Sequence, residues 1–255
     1  MAHDSSSLLM GCGRDVEKVF GAGPNAMCRV DEHGWVGLSG EAGAADLNMA
    51  AVVRGAAPSL VDEYINDIRG RGLDAILIVD EDAPELDAAA EGLGLPKVGN
   101  VPVMVWEDRP PPVPDTRYQA RIIEGTDVSI AAELAASAFS LDLEKVTRVL
   151  PPAITKVTDI WVVEDDGEPL GMGMFVHSGD HVGIYTMSTP ERSQRRGVGR
   201  AVLDNAMAHY IDRGVKTFTL EATEAGYHLY EQVGFATVAT PPVYVTAPST
   251  QFPGS

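Results

Sequence analysis

The stretch TMSTPERSQRRGVGRAVL, Thr186 to Leu203, joins an apolar strand to an amphipathic helix through a charged loop. The strand runs out at Thr189-Pro190. The helix opens at Gly197 and Gly199 and places Val198, Val202, Leu203, Ala206, Met207 and Tyr210 on one face. A helix start carries backbone N–H groups without internal partners and a partial positive charge. The two glycines remove side chains there, so an anion can approach those groups. Arg195, Arg196 and Arg200 add positive charge, and Gln194 stands three residues before the first glycine. Such a loop suits a diphosphate. It is not a Walker loop, because no Gly-Lys-Ser/Thr follows, and no first strand of a dinucleotide fold leads into it.

The segments around the loop alternate in type. Arg121-Ile122-Ile123 reads as a short strand, and Ile130, Leu134, Ala135 and Phe139 recur at helical spacing from Asp127. A second helix is expected over 141–150, stopped by Pro151-Pro152. Ile160 to Glu164 and Leu170 to His177 flank Asp165-Asp166-Gly167 as a hairpin, and His181 to Thr189 is the strand entering the loop. After the Gly197–Arg213 helix come a strand at 217–222, a helix at 225–233 and a strand at 243–246. Consecutive prolines, Pro110-Pro111-Pro112 and then Pro114, can neither continue a helix nor join a central strand. They divide the chain into a domain at 1–108, a linker at 109–117 and a domain at 118–255.

The first part repeats the later part of this order. A shift of 142 positions places Arg54-Gly55 on Arg196-Gly197, Val61 on Leu203, Ile65 on Met207 and Arg71-Gly72 on Arg213-Gly214. A shift of 140 places Gly94-Leu95 on Gly234-Phe235 and Pro102-Val103 on Pro242-Val243. Two copies of one fold are expected. In the first copy the wide charged loop is absent and Ala57 stands for Gly199, so no coenzyme binding is expected there.

Gln194-x-x-Gly197-x-Gly199, after a strand and opening a helix, resembles the acyl-CoA-binding motif of the GCN5-related N-acetyltransferases (GNAT). LEATEAGYHLYEQVGF, Leu220 to Phe235, is similar to the strand and tyrosine-bearing helix that close the active site in that superfamily. The resemblance covers most of 118–246. It implies an α/β fold with a mixed central sheet flanked by helices, here in tandem. It also implies acetyl-CoA as co-substrate and an amine as acceptor, with Met187, Ser188, Thr189, Gln194, Arg195, Arg196, Gly197, Val198, Gly199 and Arg200 holding the coenzyme. The backbone N–H of Met187 or a neighbour would polarise the thioester carbonyl. Tyr230 would be the general acid toward the departing sulfur, a thiol of ordinary pKa about 8.5; a packed core tyrosine is the plain alternative. Ala90 takes that place in the first copy. Two features depart from the family pattern. The loop between Pro190 and Gly197 is about one residue longer than is usual in the family, and Thr223-Glu224 stands where an asparagine is common.

Glu221 is the candidate general base. Strand alternation puts it on one face with Thr219 and Thr223, opposite Phe218, Leu220 and Ala222. A hydrogen-bonded structural carboxylate is an equal reading of Glu221, and Glu224, Tyr185 or a water are alternative bases. His177 and His181 flank a turn and read as solvated hairpin residues. Ser39 and Glu41 lack a partnered histidine and a Gly-x-Ser-x-Gly frame, so 37–48 reads as a loop. Cys12 and Cys28 match no ligand spacing and read as reduced thiols; no metal site is expected.

The balance of 19 Lys+Arg against 37 Asp+Glu gives a formal charge of −18, which argues against a nucleic-acid surface and suits a cationic acceptor. With 45% hydrophobic and 22% charged residues the 255-residue chain can bury a core. No apolar run approaches the roughly 18 residues of a membrane span, and the start lacks the pattern of a secretory signal. A cytoplasmic enzyme with a small-molecule amine acceptor, rather than a protein lysine, is expected. The rival expectations are a longer acyl-CoA as donor, and an acyl-CoA-binding sensor without turnover.

Overall fold

The computed structural model describes residues 4–107 and 109–247. Residues 1–3, 108 and 248–255, which the expected domains include, lie outside the described residues. The chain forms two units. One is built from the described residues up to Val103 with Ala222–Ala225 and those from Thr237 on; the other comprises Met104–Glu221 and Gly226–Ala236.

In chain order the first elements are α1 (Ser5–Phe20), β1 (Met27–Asp31), β2 (Gly34–Leu38), β3 (Asn48–Val52), α2 (Pro58–Gly70), β4 (Ile76–Val79), α3 (Pro84–Gly92) and β5 (Lys97–Asn100). They are followed by β6 (Val103–Glu107), β7 (Gln119–Ile122), α4 (Val128–Phe139), α5 (Leu143–Val149), β8 (Asp159–Asp165), β9 (Glu168–Ser178) and β10 (His181–Ser188). The last are α6 (Val198–Ile211), β11 (Thr217–Glu221), α7 (Glu224–Val233), β12 (Ala236–Ala239) and β13 (Pro242–Val245). The expected strands and helices of the second half are present. Helix α1, the β1–β2 hairpin, whose Gly37-Leu38 fall in the expected loop, β5 and β12 were not expected.

One sheet has the order β1-β2-β3-β4-β13-β5, the other β7-β8-β9-β10-β11-β6-β12. The proline-rich stretch therefore does not separate the sheets. β6, which precedes it, lies in the second sheet, and β13, near the end of the chain, lies in the first. β13 runs antiparallel to both β4 and β5, with Val243 opposite Ile78 and Gly99. Apart from β7, the two sheets follow one strand order, and β3–β4 and β10–β11 are the parallel pairs before the exchanged strand. The matched glycines share their backbone state: Gly55, Gly72 and Gly94 have φ of 96, 68 and 70°, and Gly197, Gly214 and Gly234 have 80, 94 and 109°.

In the first unit, α2 and α3 cover one side of the sheet. Val61, Ile65, Ile68, Leu86 and Ala90 pack with Val52, Leu77, Val79 and Tyr244. On the other side Leu9 and Val16 of α1 pack with Trp35, Ile76, Ile78 and Val243. In the second unit β9 is buried from Leu170 to Val176 without alternation, as a strand covered on both faces must be. Gly171 and Gly173 lie beneath α6, and a Cβ on them would come within 2.6 Å of Val198 Cγ1 and 3.3 Å of Val202 Cγ1. The missing side chains let the first turn of α6 settle close to the sheet. α4 packs on β9 and β10.

Candidate functional site

The strand entering the charged loop is irregular. β10 pairs with β9 antiparallel as far as Tyr185 opposite Met174 and resumes with Ser188 opposite Met172, so one extra residue lies on β10. Thr186 has φ 50° within this bulge, a costly conformation for a β-branched residue. The ladder from β10 to its parallel neighbour β11 covers only His181–Gly183 opposite Thr217–Thr219. Beyond Gly183 the two strands run on without pairing, and the main chain of Ile184–Ser188 leaves the β11 ladder. Backbone strain of this kind gathers where a strand must present its amides to something other than a neighbouring strand.

The loop that follows is closed by its own groups. A short 3-10 turn, Glu191–Ser193, leads out of Pro190, and the Gln194 side chain donates from Nε2 to the Thr189 carbonyl at 3.1 Å. Arg195 has φ 59° and Gly197, the N-cap of α6, has φ 80°. No side chain caps α6, and the first backbone bond of the helix is Ala201 N–H to the Gly197 carbonyl at 2.9 Å. The N–H groups of Val198, Gly199 and Arg200 therefore belong to an uncapped first turn. Gln194, Arg195 and Arg196 are exposed.

The other expected coenzyme residues divide by role. Val198 is a core side chain, and Met187 lies over Gly173, where its Sδ would meet a Cβ. Ser188 is buried and donates to the Thr186 carbonyl at 3.0 Å, fastening the bulge. Gly199 does not open space for a ligand by its missing side chain alone, since a Cβ there would sit 3.0 Å from Leu229 Cδ2. Arg200 is turned along the helix to Asp204 at 2.7 Å and to the Gln232 carbonyl at 3.3 Å. Desolvation pushes the Asp204 carboxyl up, and Arg200 opposes that rise. Arg196 pairs with Asp165 at 3.3 Å and Arg192 with Glu168 at 3.6 Å. Among the described residues Arg195 has no carboxylate partner.

Arg117, the last residue of the expected linker, and Tyr118, the first of the expected second domain, also lie at this helix start. The Tyr118 hydroxyl donates to the Arg196 carbonyl at 2.8 Å. The Arg117 guanidinium lies over Gly197, with Nη2 at 2.7 Å from where a Cβ would stand. Nothing in the local sequence announced either, because Tyr118 and Arg196 lie 78 positions apart and Arg117 and Gly197 lie 80 apart.

The two candidate catalytic side chains lie at the end of β11, β10's parallel neighbour, and on the helix after it. Glu221 is the half-buried last residue of β11, and Tyr230 is on α7, next in the chain. Tyr230 is 6% exposed. Its ring stacks edge-on with Phe235 at 5.9 Å and covers Gly226, where a Cβ would lie 2.8 Å from Cε2. The hydroxyl has no hydrogen-bond partner among the described residues. Burial pushes its pKa up, so the phenol keeps its proton. A protonated hydroxyl without a partner among the described residues can donate a hydrogen bond to a bound ligand.

The remaining candidates are structural in geometry. His177 is exposed and bonded to the Gly179 carbonyl at 2.8 Å, while His181 meets Thr219 Oγ1 at 2.8 Å. Ser39 donates to Asn48 Oδ1 at 3.2 Å, and the buried Asn48 amide ties the carbonyls of Glu41, Ala44 and Asp74. Cys12 and Cys28 form no disulfide, and burial, with Glu17 adding to it, pushes the Cys28 thiol up to about 11. Among the described residues there is no group of three or more His, Cys, Asp or Glu arranged for a metal, and no helix long and apolar enough to cross a membrane.

Residues 135–235 match the model of the Acetyltransferase (GNAT) family. A mycothiol acetyltransferase of Propionibacterium freudenreichii subsp. shermanii is 32% identical over 89 residues, 34% of this chain and 25% of that protein. The aligned stretch thus spans a quarter of that relative's length. Among solved structures, a GCN5-related N-acetyltransferase from Kribbella flavida superposes with a TM-score of 0.65 at 18% identity, covering 95% of this chain and 96% of its own. A tandem GNAT protein from the clavulanic acid biosynthesis pathway gives 0.60 at 13% identity, with 93% and 88% covered. Over residues 135–235 the chain therefore carries the sequence pattern of the acetyltransferase (GNAT) family, on a fold shared with solved members of that family.

Proposed function

We propose that the protein is an N-acetyltransferase that moves an acetyl group from acetyl-CoA to a primary amine of a small molecule, both bound together. The observation that carries this reading is the run from β10 into α6. A bulged strand parts from its parallel neighbour, then an exposed basic loop meets an uncapped helix start. The parted strand offers main-chain donors to a thioester carbonyl and to the amide-bearing arm of the coenzyme. The helix start and Arg195 suit its diphosphate.

In the reaction the amine nitrogen attacks the thioester carbonyl carbon, a C–N bond forms and the C–S bond breaks. Tyr230 gives its proton to the departing sulfur. An ammonium acceptor first releases one proton to solvent; the proton leaving the attacking nitrogen passes to Glu221, directly or through water, and returns through solvent to the Tyr230 phenolate. The products are the amide and the thiol, and no oxidant or metal takes part. The acidic surface, at a formal −18, attracts a cationic acceptor. The first unit serves as a second copy of the fold, without turnover: Ala90, 0% exposed, holds the place of Tyr230. The common strand order and the matched positive-φ glycines support that duplication.

Calorimetric titration with acetyl-CoA, followed by thiol release over a panel of amines and acyl chain lengths, tests the reading. Binding with acceptor-dependent thiol release is expected. Binding without release on any amine would make the protein an acyl-CoA sensor, and failure to bind any acyl-CoA would remove the proposal.

A further inference from the structure

Arg117 occupies a place that electrostatics alone disfavours. The start of a helix carries a partial positive charge, and the usual group there is an acceptor such as Ser, Asp or an anion. At α6 no side chain caps the helix. In the space where an N-cap side chain would be, both terminal nitrogens of Arg117 are found, Nη2 at 2.7 Å and Nη1 at 3.5 Å from the Cβ position of Gly197. A cation thus stands at the positive end of a helix, beside the exposed Arg195 and Arg196.

Its position is set by Asp115 and by the strap that carries both residues. Asp115 accepts from Nε of Arg117 at 3.1 Å and also from Nη2. This pairing holds the Asp115 carboxyl below its ordinary range. Asn205 of α6 donates to the Asp115 carbonyl at 3.1 Å, and the Tyr118 hydroxyl to the Arg196 carbonyl at 2.8 Å. The strap from Asp115 to Tyr118 is therefore tied to both the helix and the loop. Asp115 binds the Nε edge of the fork, and Nη1 makes no hydrogen bond among the described residues. A guanidinium fixed by a carboxylate on one edge, with the other open, is organised for an oxyanion.

We propose that Arg117 is a ligand of the coenzyme diphosphate, with Asp115 as its positioning residue. One phosphate group would bridge the open edge of Arg117 and the uncapped amides of α6, and so relieve the repulsion between them. The loop's own Arg200 does not serve here, because Asp204 holds it. The inference rests on the acyl-CoA reading above and adds to it a cation from outside the loop motif.

The test uses the full chain, with acetyl-CoA and 3′-dephospho-CoA titrated calorimetrically against wild type, Arg117→Ala and Arg117→Lys. Arg117→Ala is expected to weaken acetyl-CoA binding about 5- to 20-fold, the scale of one charge-assisted contact. The defect should fall on KM for acetyl-CoA rather than on kcat or on KM for the amine. Arg117→Lys should recover part of the affinity, and wild-type binding should weaken more steeply with added salt than that of Arg117→Ala. The fold loss should be the same with 3′-dephospho-CoA, since the diphosphate is intact there. Unchanged affinity in Arg117→Ala, or a loss confined to the ligand carrying the 3′-phosphate, would overturn the assignment. If the wild type binds neither ligand, the acyl-CoA reading itself fails, a result distinct from a silent Arg117 in a protein that binds.

Discussion

In the proposed reaction Tyr230 and Gly197 act through a side chain and through the lack of one. The phenol of Tyr230 is buried between Phe235 and Gly226, and burial favours its protonated form. Removing only the hydroxyl leaves that packing in place. Tyr230→Phe is expected to lower kcat by about 100-fold or more, the range for losing a positioned general acid, while the Kd for acetyl-CoA stays within about twofold. Steady-state thiol release beside calorimetry checks this, and an equal loss of binding would return Tyr230 to the core. Gly197 fails in the opposite manner. With φ at 80°, any L-residue is strained there by about 1–2 kcal/mol. A Cβ would also displace the Arg117 guanidinium. Gly197→Ala is expected to weaken acetyl-CoA binding at least as much as Arg117→Ala does, and a further loss of thermal stability should accompany it. Native acetyl-CoA affinity in Gly197→Ala would show that the helix start is not the phosphate seat.

At the scale of elements, what the sequence announced was local and what it withheld was not. The β10–loop–α6 run was readable because its strand, charges, glycines and helix follow one another within about twenty positions, each obeying a rule of its own. The turn of Arg200 onto Asp204 was also open to an i,i+4 reading, since Arg200 and Asp204 share a helix face. The bulge at Thr186 had no such signal, because Thr186 is an ordinary strand residue by propensity. Helix α1 was hidden by Gly11 and Gly13, poor helix formers. A Cβ on Gly13 would stand 2.5 Å from the Trp35 ring, so that glycine answers to a strand 22 positions away. The seating of α1 has a second anchor in Asp80, just past β4 and 1% exposed. Asp80 accepts hydrogen bonds from the Ser6 hydroxyl and, at 3.1 Å, from the Arg54 N–H. Desolvation raises its pKa, but these donors outweigh it and hold the carboxyl below the ordinary value of 3.8. A carboxyl with a folded pKa below its unfolded one contributes stability above the unfolded value and loses it as pH falls through the folded one. Asp80→Asn is therefore expected to flatten the loss of Tm as pH falls below about 4, and at pH 7 Asp80→Ala should lower unfolding stability by about 2 kcal/mol. A wild-type acid limb in Asp80→Asn would remove the carboxylate from this role.

For the whole molecule, the exchange of β6 and β13 makes each sheet depend on a strand from the other side of the proline-rich stretch. β13 lies between β4 and β5, so its loss would leave those two strands without a common partner and expose the face where Tyr244 packs with Leu77 and Val79. Tyr244 also donates to Asp87 of α3, so helix and sheet would lose the same anchor. β6 lies between β11 and β12, and its Trp106 meets Phe218 edge-on at 5.6 Å. Without β6, β11 would present an unpaired edge of apolar residues, an arrangement prone to aggregation. The proline-rich stretch reads as a domain boundary because consecutive prolines exclude regular structure. Yet that signal says where the chain cannot pair, and is silent on which sheet its neighbours join. The consequence is testable by cutting there. Residues 1–108 and 118–255 produced separately are each expected to lack a cooperative thermal transition. Co-expression should restore a soluble one-to-one complex that melts cooperatively and binds acetyl-CoA, because the exchanged strands can reassemble without a covalent link. If 118–255 alone melts cooperatively and binds acetyl-CoA with native affinity, β6 is dispensable and the exchange is not what holds the second sheet together.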